Sequence, residues 1–198
     1  MRSIAEQQEV PYLLHFTPVI NLPGIVKHGL LSRDKLAERG IPYASYESRL
    51  DGREDATSVS ISRVSRQIFD RKRHKGGHPN WVVLRLNIQV LCTHECLFAW
   101  RNAATNEIQY PFRERNRPWA FYKMFDGSNE ERNGLGPWFP TDPEAEVQVL
   151  KPIAPDCILE AIVDRHELVE AVQGILNCMP GDQRPVAVDA SWGRIARG

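Results

Sequence analysis

Alternating and short continuous apolar runs along the chain predict several β-strands. We expect strands at residues 12–16, 57–62, 81–88, 146–150, 157–163 and 185–190. These runs are rich in aliphatic, β-branched or aromatic residues, and turn-forming residues lie between them, which is typical of strands.

Apolar residues spaced three and four positions apart predict helices as well. Residues 64–74 and 166–179 have this spacing, and a shorter helix is expected near residues 118–125. A helix of about two turns should follow Asn21, which fits the N-cap position, and should end at Gly29.

The remaining stretches are polar or rich in turn-forming residues. We expect residues 1–10 to be loose and residues 32–56 to form a mobile or ligand-covering loop. Together the elements predict a mixed α+β fold with a split or two-sheet β core and flanking helices. We expect one domain spanning residues 1–198, because this length suffices for one core but not for two ordinary domains.

Charge and hydropathy narrow the class of protein. Lys and Arg number 25 and are balanced by 25 Asp and Glu, so a globally basic nucleic-acid binder is excluded and only a local basic surface is possible. No apolar run approaches the ~20 residues of a membrane span, and the N-terminus lacks a signal-peptide pattern. We therefore expect a soluble, cytoplasmic protein without a membrane partner.

The cysteines do not predict a metal site. Cys92 and Cys96 flank His94, but no second pair of ligands follows, and Cys157 and Cys178 lie in apolar contexts. We expect unpaired thiols in a reducing compartment and no metal.

One carboxylate interrupts an apolar strand pattern. In Thr-Asp-Pro-Glu-Ala-Glu-Val-Gln-Val-Leu, residues 141–150, Glu146 alternates with Val147 and Val149. Its side chain should therefore lie on the opposite face, either in solvent or at the mouth of a cleft.

Several segments in chain order share features with one family. The first strand carries His15-Phe16-Thr17, and Asn21-Leu22 and Gly29-Leu30 follow it. Further along are the segments 48–52, 58–62, 102–104 and Ala145-Glu146-Val147. This ordered set resembles the DarT family of NAD-dependent DNA ADP-ribosyltransferase toxins.

The resemblance implies an ADP-ribosyltransferase fold, NAD as substrate without a metal, and Glu146 as the catalytic carboxylate. Breaking the nicotinamide–ribose bond passes through an oxocarbenium-like transition state, which a carboxylate beside the ribose stabilises. The same carboxylate can accept a proton from the attacking nucleobase nitrogen. Glu144 would share the face of Glu146, and only the family pattern favours Glu146.

The resemblance also implies an NAD site formed by His15, Thr17, Asn21 and Arg49. His15 and Thr17 share a strand face and suit hydrogen bonds to ribose hydroxyls, although a buried His that bonds a backbone carbonyl is the alternative. Asn21 could cap the helix, reach the ligand, or both. Arg49 is expected to pair with the pyrophosphate, or with a phosphate and Glu146 together, and so to assist catalysis; Arg53 is its alternative.

Two basic regions predict contacts with a nucleic-acid strand. One spans residues 63–75. The other lies between positions 100 and 140, where Arg residues alternate with aromatic residues, a composition that suits binding of single-stranded nucleic acid. Solvated or core-covering surfaces would have the same composition. The expected contact residues are Arg63, Arg66, Arg71, Arg73, Lys75, Arg113, Arg115 and Trp119.

The leading hypothesis is a toxin that transfers ADP-ribose from NAD to a base of single-stranded DNA, paired with a macrodomain antitoxin. Where the thymidine-modifying branch has a Tyr-Val-Pro-Phe-Tyr-like strand and Asn-Pro-Arg-Ser-Pro-Met, this chain has Thr57 to Arg66. The resemblance therefore favours guanosine over thymidine. The alternatives are transfer to RNA or protein, or a catalytically silent nucleotide- or nucleic-acid-binding module.

Overall fold

The strands of the protein form one mixed sheet. The computed structural model describes residues 2–45, 49–108 and 112–192. In this part of the chain the sheet has seven strands in the order β4-β5-β2-β1-β3-β6-β7, and neighbours are antiparallel except β6 and β7. The strands are β1 (Leu13–Pro18), β2 (Thr57–Ile61), β3 (Trp81–Leu86), β4 (Cys96–Ala99), β5 (Glu146–Val149), β6 (Ile158–Val163) and β7 (Val186–Val188).

Short helices connect and cover the strands. They are α1 (Arg2–Gln7), α2 (Leu22–His28), α3 (Arg33–Glu38), α4 (Arg66–Gly76), α5 (Val90–Thr93), α6 (Phe112–Arg115), α7 (Pro118–Lys123) and α8 (Val169–Leu176). None of the helices in the described ranges has the length and apolar character that crossing a membrane would need.

The sheet opens between its two central strands. β1 pairs with β3 along its whole length, but with β2 only at Leu13↔Ile61 and Leu14↔Ser60. Beyond Leu14 the two strands separate and leave a gap in the middle of the sheet. The predicted α+β class with a split β core is therefore confirmed, with the split inside a single sheet.

The two faces of the sheet bury separate apolar clusters. The larger one packs strand residues such as Val59 and Leu84 against α2, α7 and α8. The smaller one lies under α4, where Phe69 packs edge-on against Trp81 and Trp192. Burying each large side chain contributes about 1.5–3 kcal/mol, so both faces hold the sheet in place.

Gly29 ends α2 as predicted, and its backbone conformation explains why. Its φ is 81°, a region that favours glycine, and a Cβ there would lie 2.3 Å from the carbonyl oxygen of Ile153. Leu30 bridges Ile153 directly after this turn.

Two stretches that were expected to be irregular contain helices. Residues 2–7 form α1, and Ala5 and Val10 are buried, so residues 2–10 are not loose. Within the expected loop 32–56, Arg33–Glu38 form α3, which the Ser32 side chain caps, and residues 41–45 after it line the cavity described below. Asn21 occupies the N-cap position of α2 but makes no capping hydrogen bond with its side chain.

Candidate active site

A cavity of about 490 Å³ opens at the split of the sheet. Residues from both separating strands line it, together with the loop after α3, one side of α4 and the segment that leads into β5. Its polar lining includes His15, Thr17, Asn21, Arg49, Asp51, Ser58, Ser60, Arg71, Lys72, Asn102, Glu144 and Glu146.

The hydrogen bond of His15 determines its tautomer. Where β1 leaves β2, the Ser58 carbonyl bonds His15 Nδ1 at 3.0 Å instead of a strand partner. A carbonyl only accepts, so Nδ1 carries the proton and Nε2 is left as an acceptor. Burial lowers the pKa of His15 to about 4, so the ring is neutral near pH 7. The backbone-bonded alternative and a ligand role are compatible.

Asn21 holds the loop that follows α3 over the cavity. Its amide group donates to Thr17 Oγ1 at 2.9 Å and to the Ala44 carbonyl at 3.1 Å, and its oxygen accepts from the Ala44 N–H at 2.6 Å. The buried Thr17 hydroxyl keeps its own proton to donate. Asn21 thus shapes the cavity wall, and Thr17 is the member of the pair able to donate to a ligand.

The Arg49 guanidinium is engaged mainly within the protein. Nε and Nη2 donate to the two Asp51 oxygens at 3.0 and 2.6 Å, Nη2 also donates to Ser58 Oγ at 2.8 Å, and Nη1 donates to the Ala56 carbonyl at 3.0 Å. Burial disfavours its charge, but the ion pair with Asp51, together with the charges of Glu146 and Glu54, outweighs this effect and raises the pKa of Arg49. A bidentate pyrophosphate contact through the Nε and Nη2 edge would require breaking the Asp51 pair. Ser48, from the segment 48–52, lies outside the described residues.

Glu146 begins β5 and faces the same cavity. Its carboxylate accepts a hydrogen bond from the Ser58 hydroxyl, which itself accepts from Arg49. Burial raises the pKa of Glu146, and the nearby Arg49 charge offsets this effect only in part. The result is a partly desolvated carboxylate beside Ser58 and Arg49.

Glu144 also lines the cavity, but it is held differently. Its Oε2 accepts from Asn102 Nδ2 at 3.0 Å, which ties the segment before β5 to the loop after β4. The geometry therefore gives Glu144 a partner in that loop and leaves Glu146 beside Ser58 and Arg49.

The structure brings in residues that the sequence patterns did not assign. Gln148, fully buried on β5, donates to Asp51 and accepts from Arg115 Nη2 at 2.7 Å. Lys72 on α4 lies with its ammonium 5.0 Å from the centre of the Phe16 ring, at the cavity wall. A Gln on the same strand face as Glu146 was a detectable signal, whereas the long-range partners of Asp51 were not.

The basic residues of the first predicted region occupy different environments. Arg71 is exposed and lines the cavity, and Arg66 is exposed with an ion pair to Asp70. Lys75 is exposed near the end of α4. The exposure of these three side chains is compatible with the predicted contacts to a strand.

Arg63 and Arg73 bind other parts of the protein instead. Arg63 donates to the Pro140 carbonyl at 2.7 Å and lies over the Phe139 ring. Arg73 pairs with Asp164 at 3.0 Å and lies over Trp192. Their placement argues against the predicted contacts with nucleic acid.

Arg115 is the clearest departure in the second predicted region. Only 7% of it is exposed, and its guanidinium bonds Gln148 and the Phe98 carbonyl. It cannot contact a strand without leaving the core, so that prediction was wrong. Arg113 is exposed, and Trp119 is 40% exposed and packs on Trp100.

Metal-ligating side chains do not gather in the described part of the chain, where no group of three His, Cys, Asp or Glu could hold an ion. Cys92, Cys96, Cys157 and Cys178 are all unpaired thiols.

Comparison with known proteins gives a family match over most of the chain. A family model described as ssDNA thymidine ADP-ribosyltransferase, DarT, matches residues 14–193. No curated protein matches the chain in sequence.

Solved structures have the same fold at low sequence identity. Thermus sp. 2.9 DarT in complex with NAD+ is 18% identical with a TM-score of 0.62, and the match covers 93% of this chain and 98% of that one. Thermus sp. 2.9 DarT in complex with ADP-ribosylated ssDNA is 16% identical with a TM-score of 0.59, covering 93% and 96%.

Thermosipho africanus DarTG in complex with ADP-ribose is 18% identical with a TM-score of 0.60. That match covers 91% of this chain but only 50% of the other, so this chain spans half the length of that protein.

Proposed function

This chain belongs to the DarT family, and from that premise we propose that it transfers ADP-ribose from NAD to a nucleobase of single-stranded DNA. The observation that carries the proposal is the joint placement of Glu146, Ser58, Arg49 and His15 around one cavity. Its volume of about 490 Å³ is within the usual ~300–1,000 Å³ of cofactor sites.

The reaction requires one bond to break and one to form at the same carbon. The C1′–nitrogen bond to nicotinamide breaks, and nicotinamide leaves as a neutral molecule with the bonding electron pair. The lone pair of a nucleobase nitrogen then forms the new bond to C1′, and that nitrogen releases its proton. No general acid is needed for the leaving group, so one carboxylate is sufficient.

Glu146 is the residue we assign to both charge stabilisation and proton acceptance. Its negative charge opposes the positive charge that develops on the ribose, in a partly desolvated position where such interactions are stronger. Its raised pKa makes it a better proton acceptor than an ordinary solvated carboxylate. Arg49 supports this role by fixing the Ser58 hydroxyl that donates to Glu146.

His15 and Thr17 are the residues we assign to the ribose hydroxyls of NAD. The neutral His15 ring offers an acceptor at Nε2, and the buried Thr17 hydroxyl offers a donor. Asn21 acts indirectly, by holding the loop at Ala44. For the pyrophosphate we propose the Lys72 cation of α4, which lines the cavity, rather than the Arg49 edge that Asp51 occupies.

Single-stranded DNA is the acceptor class we propose. The exposed Arg66, Arg71, Lys75 and Arg113 offer positive charge for a phosphate backbone. Trp119 adds an exposed ring suited to stacking. A paired, stacked base would first have to be extruded at a cost of a few kcal/mol, which disfavours duplex DNA.

Guanosine is the acceptor base we propose, on the departure of residues 57–66 from the thymidine-modifying pattern. The matching family model is described for thymidine, so both bases belong in the test. We further propose a macrodomain antitoxin that removes the modification, and a cytoplasmic location, where NAD is available.

Product masses test the proposal directly. The protein is incubated with NAD and single-stranded oligonucleotides that each contain one guanosine, thymidine, adenosine or cytidine in a constant context, with the duplexes and matching RNA strands as controls. We expect one ADP-ribosyl group on the guanosine oligonucleotide. Addition to thymidine alone would correct the base, addition to RNA or protein alone would correct the acceptor class, and NAD binding without turnover would indicate a silent module.

A further inference from the structure

Two carboxylates in the cavity lie where each could pair with the same guanidinium. Arg49, Asp51 and Glu146 all line it, but the ion pair of Arg49 is with Asp51. Within the described residues no ion pair joins Arg49 to Glu146, and the Ser58 hydroxyl lies between them as an intermediary.

Without its ion pair to Asp51, Arg49 would interfere with a catalytic carboxylate beside it. Arginine and carboxylate groups tend to form bidentate pairs, which occupy both carboxylate oxygens. Such a pair at Glu146 would leave fewer acceptor positions for a ribose hydroxyl or a nucleobase proton. It would also lower the basicity of Glu146.

Asp51 is held in place by hydrogen bonds from two further residues. Gln148 donates to the Asp51 oxygen that pairs with Arg49 Nη2, and the Arg53 N–H donates to the other oxygen at 3.3 Å. The orientation of the Gln148 amide is forced, because Arg115 can only donate to its oxygen and an ionised Asp51 can only accept from its nitrogen. Arg115 therefore contributes to the site through Gln148.

We infer that Asp51 is a positioning residue that holds Arg49 in a bidentate ion pair and so keeps the guanidinium off Glu146. Gln148 is its support on the strand that also carries Glu146. The inference rests on the proposed function, because it assigns a role within the same site.

Asp51→Asn tests the inference, with Asp55→Asn as the matched control. Asn keeps the shape but cannot hold Arg49 as a charged bidentate acceptor. Asp55 also forms an ion pair with the arginine two positions before it, Arg53, but is exposed. The rate of transfer to the oligonucleotide and the KM for NAD are measured across the acidic and neutral pH range, after circular dichroism has shown that each variant is folded.

We expect kcat to fall about tenfold or more in Asp51→Asn, with a much smaller change in KM. In the plot of kcat against pH, the fall of kcat on the acidic side (the acidic limb) should move to lower pH. Removing the Asp51 charge and releasing Arg49 toward Glu146 both lower the pKa of Glu146, so the carboxylate stays ionised at lower pH. Asp55→Asn should retain the wild-type rate and profile.

Gln148→Met provides a second route, because it removes the support of Asp51 without touching Arg49. A smaller shift of the limb in the same direction is expected. An unmoved limb in both folded variants would overturn the inference, and so would loss of folding in both, which would make the network a stability element. If the wild-type protein modifies no oligonucleotide, the proposed function fails instead.

Discussion

Glu146→Gln perturbs the chemistry of the site while conserving its shape. Arg49 can only donate to Ser58 Oγ, so the one Ser58 proton remains for residue 146. A Gln oxygen at position 146 can accept that proton as the carboxylate does. The variant therefore removes the negative charge and the basic oxygen, and keeps the local hydrogen bond.

The expected loss follows from the position of Glu146. Two unit charges about 4 Å apart at an effective dielectric of ~20 interact by about 4 kcal/mol. The amide dipole of Gln recovers part of this, and the loss of the proton acceptor adds to it. We expect kcat to fall by ~10²–10³, which corresponds to about 2.7–4 kcal/mol of transition-state stabilisation.

The assay compares Glu146→Gln with Glu144→Gln, which has the same chemical change two residues earlier on the cavity wall. Transfer to a single-stranded oligonucleotide is followed by mass, and NAD affinity by calorimetry. Glu144→Gln should lose less than tenfold in rate, since Glu144 binds the Asn102 loop, and NAD affinity should change little in Glu146→Gln. A slow Glu144→Gln beside a fast Glu146→Gln would refute the assignment.

Three further predictions concern stability and binding. Gly29→Ala should lower the free energy of unfolding, measured in urea, by about 2 kcal/mol or more, because the φ of Gly29 is 81° and a Cβ there would lie 2.3 Å from a carbonyl oxygen. Gly24→Ala is the control and should not have this effect, because the nearest atom to a Cβ there is at 4.0 Å. Affinity for single-stranded DNA, plotted against salt concentration on logarithmic axes, should fall less steeply in Arg71→Gln, with the slope smaller by about 0.7 per lost phosphate contact. Arg73→Gln should mainly lower the melting temperature. Equal slopes in the wild type and Arg71→Gln would contradict this. The pKa of His15 falls from 6.5 to about 4 on folding, so the unfolded chain binds more protons between these values and stability should decrease as pH falls through them; in His15→Gln that decrease should be smaller in urea titrations.

Six of the seven strands in the described residues could be predicted, because each alternates or buries apolar residues in a short run; β4, a buried run of only four residues, was not predicted. β2 alternates buried and half-buried positions because its half-buried Ser58 and Ser60 line the cavity at the split, and β3 is almost continuously buried inside the sheet. α1 was missed because its few apolar residues, such as Ala5, give little periodicity.

Only part of the site could be predicted from the sequence. Glu146, His15 and Thr17 stand out from their strands, so their common placement could be expected from the resemblance. Asp51 and Gln148 are separated by 97 positions, and no local pattern pairs them.

The basic residues show the limit of composition most clearly. Arg71 and Arg115 look alike in sequence, yet one is exposed and the other is buried against Gln148. A charged side chain in a short helix can face solvent or complete a buried network, and only the partners decide which.

The stoichiometry of the two reaction products distinguishes transfer of ADP-ribose to DNA from hydrolysis of NAD. NAD labelled in its adenylate half is incubated with the wild-type protein, with and without single-stranded DNA, and both the nicotinamide released and the label joined to DNA are counted. We expect equal amounts of nicotinamide and DNA-bound label, dependence of both on the strand, and loss of both in Glu146→Gln. Nicotinamide release that is the same without DNA, with no label on any strand, would contradict it.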